Sequence, residues 1–171
     1  MLILVTGGSA SGKSAYAESL CLAYSPRYYV ACMQPYGEEG AERIRRHRAM
    51  RKDKGFTTVE RYTDLASLVL PAHGCVLLED IGNLAANEMF RDGVRDPFDA
   101  VISGVEALLK QCGRLTVVTD EIGSDGVSYD PATTAYVAAL GRINRALALR
   151  ADAVIETVAG IPVPLKGDLP V

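Results

Sequence analysis

Three stretches of this sequence combine residue types and spacings that could do chemistry. The first is Gly7-Gly8-Ser9-Ala10-Ser11-Gly12-Lys13-Ser14, which fits G-x-x-x-x-G-K-S/T. Its glycines would let successive backbone N–H groups curl around a phosphate. Lys13 would reach the outer phosphates, and the Ser14 hydroxyl could hold Mg²⁺. A purine nucleotide is the ligand this pattern expects. The second stretch is Cys75-Val76-Leu77-Leu78 followed by Glu79-Asp80, four apolar residues that deliver two carboxylates. A phosphate loop wants such an acid at the end of a neighbouring strand to position Mg²⁺ or its water, so Ser14, Glu79 and Asp80 are the candidate metal residues.

The third stretch runs from Glu38 to Lys54, with acids first and then Arg43, Arg45, Arg46, His47, Arg48, Arg51, Lys52 and Lys54. As a helix, this polarity complements the macrodipole. Arg43, His47 and Arg51 recur every fourth position and would share one face, with Met50 beside them. Guanidinium groups on either side disfavour imidazolium, and the neutral imidazole is the nucleophilic form. That arrangement suits attack on the α-phosphate of a nucleotide. His73, in Pro71-Ala72-His73-Gly74, reads as a loop residue and is assigned no role.

Elements must place these groups. Short apolar runs at Leu2–Thr6, Tyr28–Cys32, Cys75–Leu78, Leu115–Thr119 and Ala153–Val158 are mostly continuous, as in strands buried on both faces of a parallel sheet. A helix is expected from Ser14 to Ala23, directly after the phosphate loop. Another is expected from Pro97 to Gln111, capped by Asp96 and closed by Gly113. A further one starts at Asp130-Pro131 and turns Val137, Leu140, Ile143 and Leu147 inward, with Arg142, Arg145 and Arg150 outside. Strand and helix alternate, the order of an α/β sandwich with right-handed crossovers. Ala153–Val158, Gly160 and Ile161–Leu165 read as a terminal hairpin. Pro162 and Pro164 confine its last strand to an edge. Together with the phosphate loop, this gives a P-loop NTPase-like (RecA-like) three-layer sandwich, mostly parallel, with an antiparallel C-terminal edge strand. No linker or repeat divides residues 1–171, so one nucleotide-binding domain is expected.

Composition narrows the partners. The chain has 171 residues, 49% of them hydrophobic and 23% charged, which excludes disordered and collagen-like classes. A net charge of −3 argues against nucleic acid or an anionic membrane as partner. No apolar stretch approaches the ~20 residues a membrane span needs, and no cationic leader precedes Met1–Val5, so a cytoplasmic protein is expected. Cys21, Cys32, Cys75 and Cys112 form no C-x-x-C pair and are expected as buried, reduced thiols. Met89, Phe90 and Val94 are expected to face either a partner or the core.

With phosphate loop, basic helix and acid-ended strand in this order, the sequence resembles the bifunctional adenosylcobinamide kinase / adenosylcobinamide-phosphate guanylyltransferase family of cobalamin biosynthesis. The resemblance runs nearly end to end: Ile3-Leu4-Val5-Thr6-Gly7-Gly8, Ser11-Gly12-Lys13-Ser14, Tyr29-Val30-Ala31, Arg43-Ile44 with His47 and Arg51, Thr58-Val59-Glu60 and Leu77-Leu78-Glu79. Asn87, Val118-Thr119, Glu121, Gly123 and Gly141-Arg142-Ile143-Asn144 also stand at family positions. It implies phosphorylation of the aminopropanol hydroxyl of adenosylcobinamide, then attachment of GMP from GTP to the resulting phosphate. His47 matches the family's guanylylated histidine. Nucleotide contacts are implied at the P-loop, at Ala31, Cys32 and Met33, at Arg48, Ala49, Met50 and Arg51, and at Glu60 and Glu79. Which acid reads guanine and which serves Mg²⁺ stays open, as does GTP or ATP as the phosphoryl donor. The partner implied is a small corrinoid, and the assembly implied is a homotrimer.

The sequence also departs from the family pattern. Ala10 stands where the family usually has Arg, and Asp120 where it favours Asn. Gly123-Ser124-Asp125-Gly126-Val127-Ser128, Thr134 and Val137-Ala138 replace a glycine-rich run and two cationic positions. Fewer positive charges predict weaker anion binding, with the kinase step the one altered. A guanylyltransferase without the kinase step is therefore a second reading. A non-catalytic P-loop regulatory module, binding polyanions through Arg43–Lys54, is a third.

Overall fold

The computed structural model describes residues 1–93, 95–123 and 126–170; within the second helix, the side chains of Glu39, Ala41, Arg43, Arg46, His47 and Met50 lie outside that description. Val94, Ser124 and Asp125 fall outside the described residues. In chain order the elements are β1 (Leu2–Thr6), α1 (Lys13–Ser19), β2 (Arg27–Ala31), α2 (Gly37–Arg51), β3 (Thr57–Glu60), a 3₁₀ turn at Leu65–Ser67, β4 (Gly74–Glu79), α3 (Ile81–Phe90), α4 (Phe98–Leu109), β5 (Cys112–Val118), α5 (Pro131–Arg150), β6 (Ala153–Val158) and β7 (Ile161–Lys166).

The strands form one seven-stranded sheet in the order β3-β2-β4-β5-β1-β6-β7. All neighbouring pairs are parallel except β6 and β7, which close the sheet as an antiparallel hairpin. Pro162 and Pro164 lie on that last strand, where its outer edge needs no ladder donor. The hairpin turns at Ala159 (φ 51°) and Gly160 (φ 81°), a pair of positive angles that matches the twist of its strands.

Alternation along β1 shows why the sheet is covered twice. Leu2 and Leu4 pack with Leu84, Val101, Leu140 and Ile143 beneath α3, α4 and α5, while Ile3 and Val5 pack with Ala17 of α1 and with Leu20 just past its end. Each fully buried Leu, Ile or Val among them contributes roughly 1.5–3 kcal/mol through removal from water. On α5, Leu140, Ile143 and Leu147 are buried and Val137 half-buried, while Arg142, Arg145 and Arg150 face solvent. Asp130 caps this helix by accepting from the N–H groups of Ala132 (2.9 Å) and Thr133 (3.1 Å). No helix among the described residues is long and apolar enough to cross a membrane.

Four expectations are corrected. The acid-bearing strand β4 is not the neighbour of β1, because β5 intervenes and pairs with both. Buried apolar runs mark strands that lie in the sheet interior without giving their order. Helix α1 ends at Ser19 rather than Ala23, where the chain tightens into i→i+3 bonds from Cys21 N to Glu18 O (3.0 Å) and Leu22 N to Ser19 O (3.3 Å). Gly113 does not close α4. That helix stops at Leu109, and Gly113 already belongs to β5. Finally, Met89 is buried but Phe90 of the same helix is 46% exposed, so the two divide between core and surface.

Candidate functional site

The phosphate loop leaves β1 at Thr6 and reaches α1 at Lys13. Gly7 has φ 151°, and a Cβ there would come within 2.7 Å of the Thr157 carbonyl, so the approach of loop to β6 admits no side chain. Gly12, with φ 92°, lies 3.2 Å from the Cα of Gly160 by the same measure. The β6–β7 hairpin thus supports the loop from below. Ser11 Oγ shares a 2.9 Å hydrogen bond with Thr157 Oγ1, Gly160 N donates to Ser11 O at 2.9 Å, and Thr157 Oγ1 donates to Thr6 O at 3.3 Å. Sequence reasoning passed over Thr157. The only local signal was its place two residues before the Ala159-Gly160 turn.

Lys13 Nζ donates to Gly8 O at 3.1 Å and pairs with Asp120 Oδ1 at 2.6 Å. Asp120 follows β5, the strand between β1 and β4, so the sheet order brings it across from the P-loop. Ser14 Oγ donates to Glu79 Oε1 at 2.5 Å. Burial raises the Glu79 carboxyl above its ordinary range, opposed by hydrogen bonds from Ser14 and Tyr29. Asp80 caps α3, accepting from Asn83 N (2.6 Å) and Asn83 Nδ2 (2.7 Å). Burial pushes Asp80 up to about 6, against the pull of the Asn83 N–H and with help from the nearby Asp120 carboxylate. Both Asp80 oxygens are therefore engaged within α3, which leaves Glu79 as the acid facing Ser14. Ser9, Ala10, Lys13, Ser14, Met33, Glu79, Asp80, Asp120, Glu121 and Ile122 line a cleft of about 360 Å³.

A second pocket adjoins it, with Met33, Glu79 and Asp80 as the common wall. Tyr29, Ala31, Ile44, Arg48, Arg51, Thr58 and Glu60 complete its lining. Arg51 comes from the last turn of α2 and is only 7% exposed. Its guanidinium carbon lies 3.4 Å from the centre of the Tyr29 ring, yet its Nε and Nη1 have no hydrogen-bond partner among the described residues. A buried cation with unmet donors favours an anionic or carbonyl-bearing ligand. At the rim, Glu60 pairs with Arg48 and accepts from the Tyr62 hydroxyl at 2.8 Å. The Tyr62 bond, then that from Arg48, holds the Glu60 carboxyl below its ordinary range.

The structure therefore brings together Ser9, Ala10, Lys13 and Ser14 of the P-loop with Ala31, Met33, Arg48, Arg51, Glu60, Glu79 and Asp80 around two adjoining cavities. Cys32 is fully buried with its thiol in the core, its N–H donates to Glu79 O (2.9 Å), and its carbonyl accepts from Asn87 Nδ2 (2.8 Å). Through these bonds it joins the end of β2 to β4 and α3. Ala49 is exposed on α2. His47 stands on the same helix, one turn before Arg51; its side chain and that of Met50 lie outside the described residues. The C-terminal end of α2 is tied to the P-loop helix by an ion pair between Lys54 and the buried Glu18.

Comparisons with known proteins agree with this architecture. The bifunctional adenosylcobalamin biosynthesis protein CobU of Escherichia coli (strain K12) is 34% identical over 182 residues, covering 97% of this chain and 100% of that protein. The bifunctional adenosylcobalamin biosynthesis protein CobP of Pseudomonas aeruginosa is 33% identical, covering 96% and 97%. Among solved structures, a prototypical ATPase from the type III secretion system of pathogenic bacteria superposes with a TM-score of 0.52 at 17% identity. It covers 95% of this chain, which spans about half the length of that structure (56%), and it shows the shared P-loop NTPase fold alone. The family model described as cobinamide kinase / cobinamide phosphate guanyltransferase matches residues 3–165, and the chain belongs to that family.

Proposed function

We propose that this enzyme phosphorylates the aminopropanol hydroxyl of adenosylcobinamide and then transfers GMP from GTP to adenosylcobinamide phosphate through a guanylyl–His47 intermediate. The observation that carries the reading is that Met33, Glu79 and Asp80 line both the P-loop cleft and a neighbouring pocket beneath the basic helix. A nucleotide in the cleft would set its phosphates against Lys13 and the loop N–H groups and its α-phosphate toward α2.

In the guanylyl step, a neutral His47 nitrogen attacks the α-phosphorus of GTP. A P–N bond forms, the α–β bridging P–O bond breaks, and pyrophosphate leaves with the electron pair. A phosphate oxygen of the corrinoid then attacks the same phosphorus, and the P–N bond breaks to restore the imidazole. Splitting the transfer keeps two bulky anions from having to meet directly. Arg51, buried and with unmet donors, supplies fixed positive charge in the pocket beneath α2. Glu60, held ionised by Tyr62 and Arg48, offers acceptors that suit the N1–H and exocyclic amine of guanine.

Ser14 Oγ and Glu79, with 2.5 Å between hydroxyl and carboxylate, are hard oxygen donors that fit Mg²⁺ at the phosphates. When bound, that ion supplies neutralisation of phosphate charge. We place the enzyme in the cytoplasm, and the trimer we expect follows from the family resemblance. GTP radiolabelled at the α-phosphate tests the function. Acid-labile, alkali-stable label on the peptide containing His47 supports it, and equal labelling of His47→Ala removes the assigned nucleophile.

A further inference from the structure

Glu18 is the one carboxylate of the P-loop helix α1, and it is buried, 2% exposed. A charge so far from water needs a partner, and it takes Lys54, three residues past the end of α2. Ser14 and Glu18 are four residues apart and share a face of α1. Along that face Ser14 donates to Glu79, while Glu18 accepts from Lys54. Neither catalytic step above uses Glu18 or Lys54.

Helix α2 has little else to hold it. Among its described residues Arg51 alone is buried, and the rest are exposed or half-buried. The described side chains therefore give the helix no apolar stripe with which to find its place on the sheet. Its attachment lies at the C-terminal end. There the Arg51 guanidinium carbon stands 3.4 Å from the centre of the Tyr29 ring, Lys52 N donates to Ala49 O at 3.3 Å, and Lys54 N donates to Arg51 O at 2.9 Å. Those turn bonds carry the frame of the helix on to Lys54. Nearer the middle of α2, Arg48 and Glu60 also pair, but both are exposed and the pair contributes little. Along their axes, Ser14 lies ~6 Å from Glu18 and His47 ~6 Å from Arg51. The phosphate-holding end of α1 and the His47 position of α2 are thus each about one turn from the place where the two helices are joined. An apolar contact at that joint would tolerate sliding. A buried ion pair does not, because displacement leaves the Glu18 carboxylate both desolvated and alone.

We infer that Glu18 and Lys54 are positioning residues for the guanylyl step: their ion pair fixes the end of α2 to the P-loop helix and so sets where the His47 backbone stands relative to the α-phosphate. The inference rests on the reading above in one respect, that His47 is the nucleophile. The pair touches neither nucleotide nor corrinoid. Phosphoryl transfer at the P-loop makes no use of His47 and does not depend on it.

The test uses the full chain with Mg²⁺ and GTP radiolabelled at the α-phosphate. Lys54→Met should slow incorporation of GMP about 10- to 100-fold, while nucleotide affinity by calorimetry and kcat of phosphoryl transfer to adenosylcobinamide stay within about twofold. Because the single variant leaves a buried carboxylate unpaired, the double variant Glu18→Met/Lys54→Met separates position from stability. With both charges gone its urea midpoint should return toward that of the unaltered protein, yet its labelling should remain as slow as in Lys54→Met. Lys54→Arg keeps the cation and should recover most of the rate. Amide hydrogen exchange over Gly37–Arg51 should quicken in the single and double Met variants and not in Lys54→Arg. Undiminished labelling in the double variant, an equal fall in guanylyl and phosphoryl transfer in Lys54→Met, or no recovery in Lys54→Arg would each overturn the inference. The underlying reading fails separately, through equal labelling of His47→Ala.

Discussion

Replacing Thr157 by Val asks how much the β6–β7 hairpin contributes to the phosphate loop. The two side chains are nearly isosteric, so the change removes one hydroxyl from a site that is 1% exposed and leaves the packing intact. Lost with it are the bonds to Ser11 Oγ (2.9 Å) and Thr6 O (3.3 Å). At about 0.5–1.5 kcal/mol each, and with the longer bond weaker, the cost should be roughly 1–2 kcal/mol. Should that cost fall on the whole fold, Tm drops by about 2–4 °C per kcal/mol for a chain of this size. Should it fall on the phosphate-receiving shape of residues 7–12 alone, nucleotide Kd rises about 5- to 30-fold with little change in Tm. Differential scanning calorimetry and nucleotide titration on the same preparations separate the two. Thr157→Ser, which keeps the hydroxyl, should restore most of the loss. Unchanged Tm and Kd in Thr157→Val would show that the hairpin merely lies beside the loop.

Further outcomes follow from other groups. Lys13→Ala should abolish measurable nucleotide binding in calorimetry, because the cleft then retains carboxylates without their facing cation. Arg51→Met removes a buried cation with two unmet donors, so Tm should rise while guanylyl labelling falls at least tenfold; a lower Tm would contradict the burial argument. Asp80, raised from 3.8 to about 6 in the fold, binds its proton more tightly folded than unfolded. Its contribution to stability is therefore present below about pH 4 and lost as pH rises through 6. Asp80→Asn keeps the cap acceptor and should flatten the urea midpoint across that window. Disrupting the α1–α2 tie with Lys54→Met strands the buried Glu18 carboxylate and should lower stability by more than about 1 kcal/mol in urea denaturation.

Much of this arrangement could be read in the residues themselves. The phosphate loop, β1, β6 and the closing hairpin stand where their patterns put them, because glycine, proline and buried apolar runs act locally. Helix α5 was legible from its Asp-Pro start and its 3.6-residue stripe. β3 was not, since Thr57-Thr58-Val59-Glu60 is a largely exposed edge strand with no apolar run to mark it. Helix α3 was hidden for a related reason: Asp80 looked like a metal ligand, whereas its short-range use is as a cap. The pairing of Lys13 with Asp120 and the seat of the loop on Thr157 join residues far apart in the chain, and only the strand order sets such distances.

That order has a consequence for how the enzyme comes into being. β1 pairs with β5 and β6 and with no earlier strand, so its ladder partners begin at Leu115 and Ala153. During synthesis the glycine cradle emerges well before these partners, and the strand that carries it must wait for them before it can be seated. A nascent chain halted before residue 112 would hold the P-loop motif without a frame for it, and nucleotide capture would report that β5 and β6 have docked. Such long-range closure slows folding and prolongs the exposure of the Leu2–Val5 segment to unwanted partners.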